Sequence, residues 1–126
     1  MGMRWTTLLV IAAIIVIVFL LKRTGEIPTA EAAEQLKKGA VVIDVRSPGE
    51  YNAEHLPGAM NLPLDVIEGA VPQRLPDKAG VLLLHCQSGM RSAMAMRKLR
   101  AMGYTNVFNL GSRARAREIV DKAADN

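Results

Sequence analysis

One short stretch combines residue types that could carry out nucleophilic chemistry. Cys86 is the only cysteine of the chain, and it follows the apolar run 81–84. That run predicts a buried strand. After it, a helical apolar stripe predicts a helix over residues 93–102, which Gly103 ends. We therefore expect Cys86 where a strand ends and a helix is about to begin.

This position favours a reactive thiolate over an inert thiol. Backbone N–H groups at a helix start have no intrahelical partner and attract negative charge. A thiolate placed there is stabilised, so its pKa falls below the free value of about 8.5. Gly89 permits a positive φ within the loop, and Arg91 adds a positive charge. Free cysteines are usually buried and unreactive, but this frame predicts that Cys86 is a nucleophile.

Two stretches of the chain resemble rhodanese-type sulfurtransferases. Residues 86–91 resemble the active loop of that family, and residues 42–51 with 55–63 resemble its other signature. The resemblance covers residues 26 to 112. It implies that the Cys86 thiolate takes a sulfane sulfur from a donor such as thiosulfate. The resulting persulfide passes that sulfur to a thiol or cyanide-type acceptor, and no metal or organic cofactor is required.

The resemblance also suggests which residues surround the nucleophile. The predicted substrate-binding residues form the loop after Cys86: Gln87, Ser88, Gly89, Met90, Arg91 and Ser92. Arg91 either contacts the anionic donor or braces the loop. A second group is predicted to be a structural brace near the site, because charged residues beside a strand end more often form ion pairs than do chemistry: Asp44, Arg46, Glu50 and His55. His85 adjoins Cys86, but neighbouring strand residues point to opposite faces, so it is not assigned as a base.

The order of apolar runs predicts an α/β fold. Predicted strands alternate with helices, and the strands are continuous apolar runs, which is typical of a parallel sheet covered on both faces. The resemblance implies the rhodanese-like form, with about five strands flanked by helices. We count residues 26–27 as a brief edge strand. In such sheets the ligand site lies beyond the carboxyl ends of the strands.

Composition narrows the class of function. Arg4, Lys22 and Arg23 hold three of the 16 basic charges, which leaves 13 against 12 acidic residues. A nucleic-acid-binding domain usually shows a larger surplus, so no nucleic acid partner is predicted. No Cys/His cluster has metal-ligand spacing. Between Lys78 and Arg117 there is no acidic residue, which indicates a solvated basic face or one that steers an anionic sulfur donor.

The N-terminal residues are predicted to attach the domain to a membrane. Residues 8–21 contain no polar side chain, and Trp5 and Lys22 suit the two interfaces. We predict a single-pass transmembrane anchor over residues 1–23 and a rhodanese-like domain over residues 24–126. A cleaved signal peptide is the alternative. The flanking charges favour a cytoplasmic domain by a margin of one, so an extracytoplasmic domain stays open.

Two other functions compete with sulfur transfer to a small acceptor. A sulfur-relay or docking module would serve a partner protein. A cysteine phosphatase or arsenate reductase would use the same thiolate to attack an oxyanion. Four residues separate Cys86 from Arg91, and a loop this short favours sulfur over phosphorus. The chain departs from the family pattern after Leu110, where Ser112 stands in place of a second glycine and an arginine-rich run, 113–117, in place of an aromatic residue, so the acceptor side stays open.

Overall fold

Parallel strands alternate with helices along the chain in the computed structural model, which describes residues 2–23 and 25–125 and the side chains outside 21–23. The predicted domain boundary at Thr24 lies outside the described residues. The strands are β1 (Val41–Asp44), β2 (Met60–Asn61), β3 (Leu82–His85) and β4 (Val107–Gly111). The helices are α1 (Trp5–Arg23), α2 (Thr29–Lys37), α3 (Pro48–Ala53), α4 (Ile67–Arg74), α5 (Met90–Ala101) and α6 (Arg113–Ala124), with a 3₁₀ turn at Leu64–Val66.

The sheet has the order β2-β1-β3-β4, and every pair is parallel. Successive strand residues point to opposite faces, so β1 and β3 each contribute side chains to two separate apolar clusters. Ile43 and Leu84 pack in the cluster that includes α4 and α5 residues. Val42 and Leu83 pack in the cluster that includes α2 and α6 residues. The predicted α/β fold with a parallel sheet covered on both faces is confirmed.

The described part of the sheet has four strands, whereas the sequence predicted about five. Glu26 forms only an isolated parallel bridge to Asn109. The Ile27 N–H donates to the Asn109 carbonyl at 3.0 Å. Pro28 follows directly and has no N–H to continue the ladder, so the pairing ends there. Residues 26–27 therefore extend the edge beside β4 without becoming a strand.

Several helix boundaries also differ from those predicted. Helix α5 begins at Met90 rather than Ala93, with Gly89 as its N-cap at φ 96°. The two prolines between Val71 and Gly80 predict a loop there, but helix α4 continues through Arg74 and contains Pro72. The start of α5 matters most, because it leaves only residues 86–89 between strand and helix and places Arg91 and Ser92 in the first helical turn.

The predicted transmembrane anchor is not found. Helix α1 spans 19 residues, a rise of about 28 Å, against a hydrocarbon core of about 30 Å. Among the residues that the structure describes, no helix combines the length and the apolar character needed to cross a bilayer. The described side chains of α1, including Trp5 and Phe19, are exposed.

Candidate active site

Cys86 lies between the end of β3 and the start of α5, as its position in the sequence predicted. The backbone is fixed on both sides, because the Cys86 N–H donates to the Gly111 carbonyl at 3.3 Å, and the Val45 N–H donates to the His85 carbonyl at 3.0 Å. The first contact joins the loop to β4, and the second joins β3 to the end of β1. The sheet therefore places the thiol at its carboxyl edge.

The environment of the Cys86 thiol lowers its pKa. Burial raises the pKa of the thiol, but the Ser92 hydroxyl and the N–H groups of Ser92, Gly89 and Ser88 outweigh it, so the pKa lies below its ordinary value. The Gly89 N–H donates to Sγ at 3.0 Å, and the Ser92 hydroxyl lies 3.5 Å from Sγ. These donors stabilise the thiolate because their dipoles point at the sulfur.

Gly89 is held in place by residues of β4. Its carbonyl accepts from Asn109 Nδ2 at 3.2 Å, while Asn109 Oδ1 accepts from the Gly111 N–H at 2.8 Å. A Cβ built on Gly89 would lie 3.3 Å from the Gly111 backbone. Both the left-handed φ and this close approach therefore favour glycine. Sequence reasoning missed Asn109, although an amide inside an apolar strand run is a signal that the side chain supports a buried polar contact.

Arg91 contacts Glu50 from α3. Its Nη1 lies 2.6 Å from Oε1 and its Nη2 lies 3.0 Å from Oε2, a two-point contact between guanidinium and carboxylate. The Arg91 hydrogen bond is the largest cause that lowers the pKa of Glu50 to about 2. Glu50 also completes a capping box with Ser47 at the start of α3. In this structure Arg91 braces the loop against α3.

Asp44 and Arg46 form a separate, buried ion pair at the end of β1. Arg46 Nε lies 3.0 Å from both Asp44 oxygens, and Nη2 lies 2.8 Å from Oδ2. Arg46 Nη2 also donates to the Glu54 carbonyl at 2.7 Å. The hydrogen bond to Asp44 raises the pKa of Arg46 above its ordinary value. This pair ties β1 to the end of α3 without contacting Cys86.

The two histidines lie away from the sulfur. His55 Nδ1 lies 2.9 Å from the Tyr51 carbonyl, and the two rings stack with centroids 3.8 Å apart. His85 is buried, and burial is the largest cause that lowers its pKa. Its Nδ1 lies 3.3 Å from the Cys86 carbonyl, not from Sγ. The four predicted brace residues therefore make three separate contacts rather than one network.

Access to Cys86 is restricted in this conformation, because the residue is 0% exposed. Two cavities flank the loop. One of about 290 Å³ has Gln87 in its wall, and one of about 110 Å³ has Arg91 in its wall. Met90 is 63% exposed and lines neither of these two cavities. Among the described residues, no group of three His, Cys, Asp or Glu side chains could hold a metal ion.

Comparison with known proteins identifies the family. The model of the rhodanese-like domain matches residues 28–112, and the chain therefore belongs to the rhodanese-like domain family. The chain is 41% identical over 69 residues to the thiosulfate sulfurtransferase PspE of Escherichia coli, covering 55% of this chain and 66% of that protein. It thus spans just under two thirds of this curated relative.

Two solved structures show the same likeness in three dimensions. An E. coli rhodanese with anions is 36% identical with a TM-score of 0.59, covering 61% of this chain and 91% of that one. The human single-domain sulfurtransferase TSTD1 is 30% identical with a TM-score of 0.64, covering 78% of this chain and 96% of that one. These relatives support sulfur transfer as the general class of activity.

Proposed function

We propose that this protein is a sulfurtransferase that moves a sulfane sulfur through a Cys86 persulfide. The Cys86 thiolate attacks the outer sulfur of thiosulfate, so that a new S–S bond forms while the bond to the sulfonate sulfur breaks. Sulfite leaves with the electron pair. A thiolate or cyanide then attacks the outer persulfide sulfur, and the Cys86 thiolate leaves. Each step exchanges one bond for another, so no oxidant or cofactor is needed.

The observation that carries this proposal is the Gly89 N–H at 3.0 Å from the Cys86 sulfur. A donor aimed at the sulfur stabilises the thiolate before attack and again when it departs from the persulfide. PspE and TSTD1 are named as sulfurtransferases, which supports a thiosulfate-like donor here. The predicted substrate-binding role of residues 87–90 and of Ser92 is part of the proposal, whereas Arg91 braces the loop through its contact with Glu50.

The short loop favours sulfur transfer over phosphoryl chemistry. Helix α5 begins at Met90, so only three residues separate Cys86 from the helix. The donors Gly89 and Ser92 already contact Sγ, and Arg91 is occupied by Glu50. A phosphatase needs a longer loop that surrounds a tetrahedral phosphate, with unpaired hydrogen-bond donors directed at the phosphate oxygens. We therefore expect no appreciable hydrolysis of aryl phosphates.

The direct test is the Cys86→Ser variant of the full chain. We expect the transfer of sulfur from thiosulfate to cyanide to fall to background, while the unfolding midpoint stays within a few degrees, because serine is close to cysteine in size. Mass spectrometry of the native protein after thiosulfate treatment should show one added sulfur on Cys86. Turnover by the serine variant, or aryl phosphatase activity above sulfur transfer, would contradict the proposal.

The identity of the acceptor and the localisation stay predictions. Trapping of a mixed disulfide between Cys86 and another protein would favour the relay or docking module.

Attachment to a membrane rests on the exposed apolar side chains of α1 and the sequence pattern around them. Recovery of the full chain entirely in the supernatant after membranes are sedimented at low salt would contradict it.

A further inference from the structure

A charged cavity adjoins the residue that follows Cys86. Its volume is about 290 Å³, close to the lower end of ordinary small-molecule sites. The wall is formed by the segment after α3, the Cys86 loop and the first turns of α6: Glu54, His55, Leu56, Gln87, Arg113, Ala114 and Arg117. The thiosulfate that loads Cys86 is much smaller than this space. The cavity therefore has room for a second, larger reactant.

The cavity holds more positive than negative charge. Arg113 Nη1 lies 3.1 Å from one Glu54 oxygen, and Arg117 Nη2 lies 3.6 Å from the other. The single Glu54 carboxylate thus forms ion pairs with two guanidiniums. The side chains of Arg117 and Glu54 are more than half exposed. In the described part of the chain, Glu54 is the partner that these two side chains share. A second carboxylate would complete the pairing, because guanidinium and carboxylate match in two-point geometry.

Arg115, which lies between these two arginines in the sequence, makes different contacts. The Arg115 guanidinium donates to the Leu110 carbonyl at 2.6 Å and also to the Ile27 carbonyl. It therefore fixes the N-terminal segment to the end of β4. Arg113 and Arg117, spaced four residues apart, lie on the same side of α6 and face the cavity. Structural and available arginines alternate along this helix.

We propose that this cavity binds the carboxylate of a low-molecular-weight thiol that accepts the sulfur from Cys86. The inference rests on the proposed sulfur transfer and adds the residues of this chain that bind the acceptor's carboxylate. Arg113 and Arg117 bind the carboxylate, and Gln87 in the cavity wall places the opposite end of the ligand beside the cysteine loop. Glu54 competes with the ligand for the same two guanidiniums.

The test compares three thiols with the same two-carbon chain on the full-length protein: 3-mercaptopropionate, 2-mercaptoethanol and cysteamine. The acceptor KM is measured at saturating thiosulfate for the native chain and for Arg113→Gln/Arg117→Gln. We expect the variant to raise the KM for 3-mercaptopropionate about tenfold. The KM for 2-mercaptoethanol should change by less than about twofold. Each thiol is compared with itself, so differences in intrinsic reactivity cancel.

A second variant predicts the opposite sign. Glu54→Gln removes the competing carboxylate and leaves both guanidiniums free, so the KM for 3-mercaptopropionate should fall, and the KM for cysteamine should rise. The matched control is Arg97→Gln, which removes an exposed cation from α5 outside the cavity. It should leave all three KM values unchanged.

The outcomes separate this inference from the proposed function. If thiosulfate-to-cyanide transfer is absent in the native chain, the proposed function fails. If that transfer proceeds but the double variant changes the KM of all three thiols equally, or of none, the acceptor site is wrong. An unchanged KM for 3-mercaptopropionate in Glu54→Gln would also overturn it, because the competition requires a change.

Discussion

Two neighbouring parallel strands end side by side, and negative charge is treated differently at the two ends. Asp44 at the end of β1 pairs in register with His85 at the end of β3. The Asp44 carboxylate is saturated by the Arg46 guanidinium and by the Arg46 backbone N–H at 2.9 Å. Cys86, one residue beyond His85, has backbone dipoles and a hydroxyl as its nearest donors, and it also interacts with the Arg91 guanidinium, which is itself paired with Glu50.

This difference separates a structural group from a reactive one. A carboxylate held by a full ion pair serves the fold, because its oxygens have no remaining bond to offer a ligand. A sulfur held by oriented N–H groups is stabilised as an anion but keeps its lone pairs. The same edge of the sheet therefore contains a structural ion pair, Asp44–Arg46, and a nucleophile, Cys86. The following variants test whether the two have these different roles.

The largest effect is expected at the brace. Asp44→Asn leaves the buried Arg46 charge without its counter-ion, and we expect a loss of about 3 to 5 kcal/mol in the free energy of unfolding. The matched control is the double variant Asp44→Asn/Arg46→Met, which removes both charges and should recover much of this loss. Urea unfolding measures both. An unchanged midpoint in Asp44→Asn would show that the pair is not the brace described here.

The next effect is expected in the loop. Gly89→Ala places a Cβ on a residue at φ 96° and 3.3 Å from the Gly111 backbone, which should cost about 1 to 2 kcal/mol. Sulfur transfer should also fall, because the Gly89 N–H would shift away from Sγ. Gly49→Ala is the control, since a Cβ on Gly49 would meet no atom within 4 Å and this residue has no positive φ. Equal effects of the two variants would count against the loop geometry.

A smaller effect is expected for the thiol titration. Ser92→Ala removes a donor that lowers the pKa of Cys86, so the thiolate should form at higher pH than in the native chain. In the native protein, the thiolate contributes stability above the unfolded pKa, and this is lost as pH falls through the lowered folded pKa. Ultraviolet absorbance of the thiolate follows the titration, with Cys86→Ser as the baseline. A titration at unchanged or lower pH would remove Ser92 from the set of donors.

The smallest effect is expected at the surface pair. Glu50→Gln breaks the ion pair with Arg91. The Glu50 side chain is 36% exposed and the Arg91 side chain is 37% exposed, so the free energy of unfolding should fall by less than about 1 kcal/mol. Because the pKa of Glu50 is lowered from 4.5 to about 2, its contribution is present above pH 4.5 and is lost as pH falls towards 2. Native and variant stability should therefore converge in acid. A gap that persists at the lowest pH would contradict this assignment.

The sequence was sufficient to predict the fold class and the location of the cysteine. The apolar run before Cys86 and the helical stripe after it fix a strand and a helix, and the loop follows from them. The start of α5 could not be read to the residue, because Gly89 caps it without a side-chain hydrogen bond. The prediction rested on the apolar stripe, which places the start at residue 93, three residues after the observed start at Met90.

Partners within the site were harder to predict than positions. Glu50 was grouped with Asp44 and Arg46, yet it contacts Arg91, 41 residues away along the chain. Such pairings depend on how α3 packs against the start of α5, which no local pattern encodes. The contact from Asn109 to Gly89 is likewise set by the register between β4 and the loop.

The burial of Cys86 also has a redox consequence. A disulfide between two chains requires their sulfur atoms to approach to about 2.05 Å, and Cys86, which is 0% exposed, presents no surface against which a second folded copy could place its own buried Cys86. The chain has one cysteine, so an internal disulfide is impossible as well. Geometry therefore disfavours a crosslink between two folded copies through Cys86, independently of the pKa of the thiol.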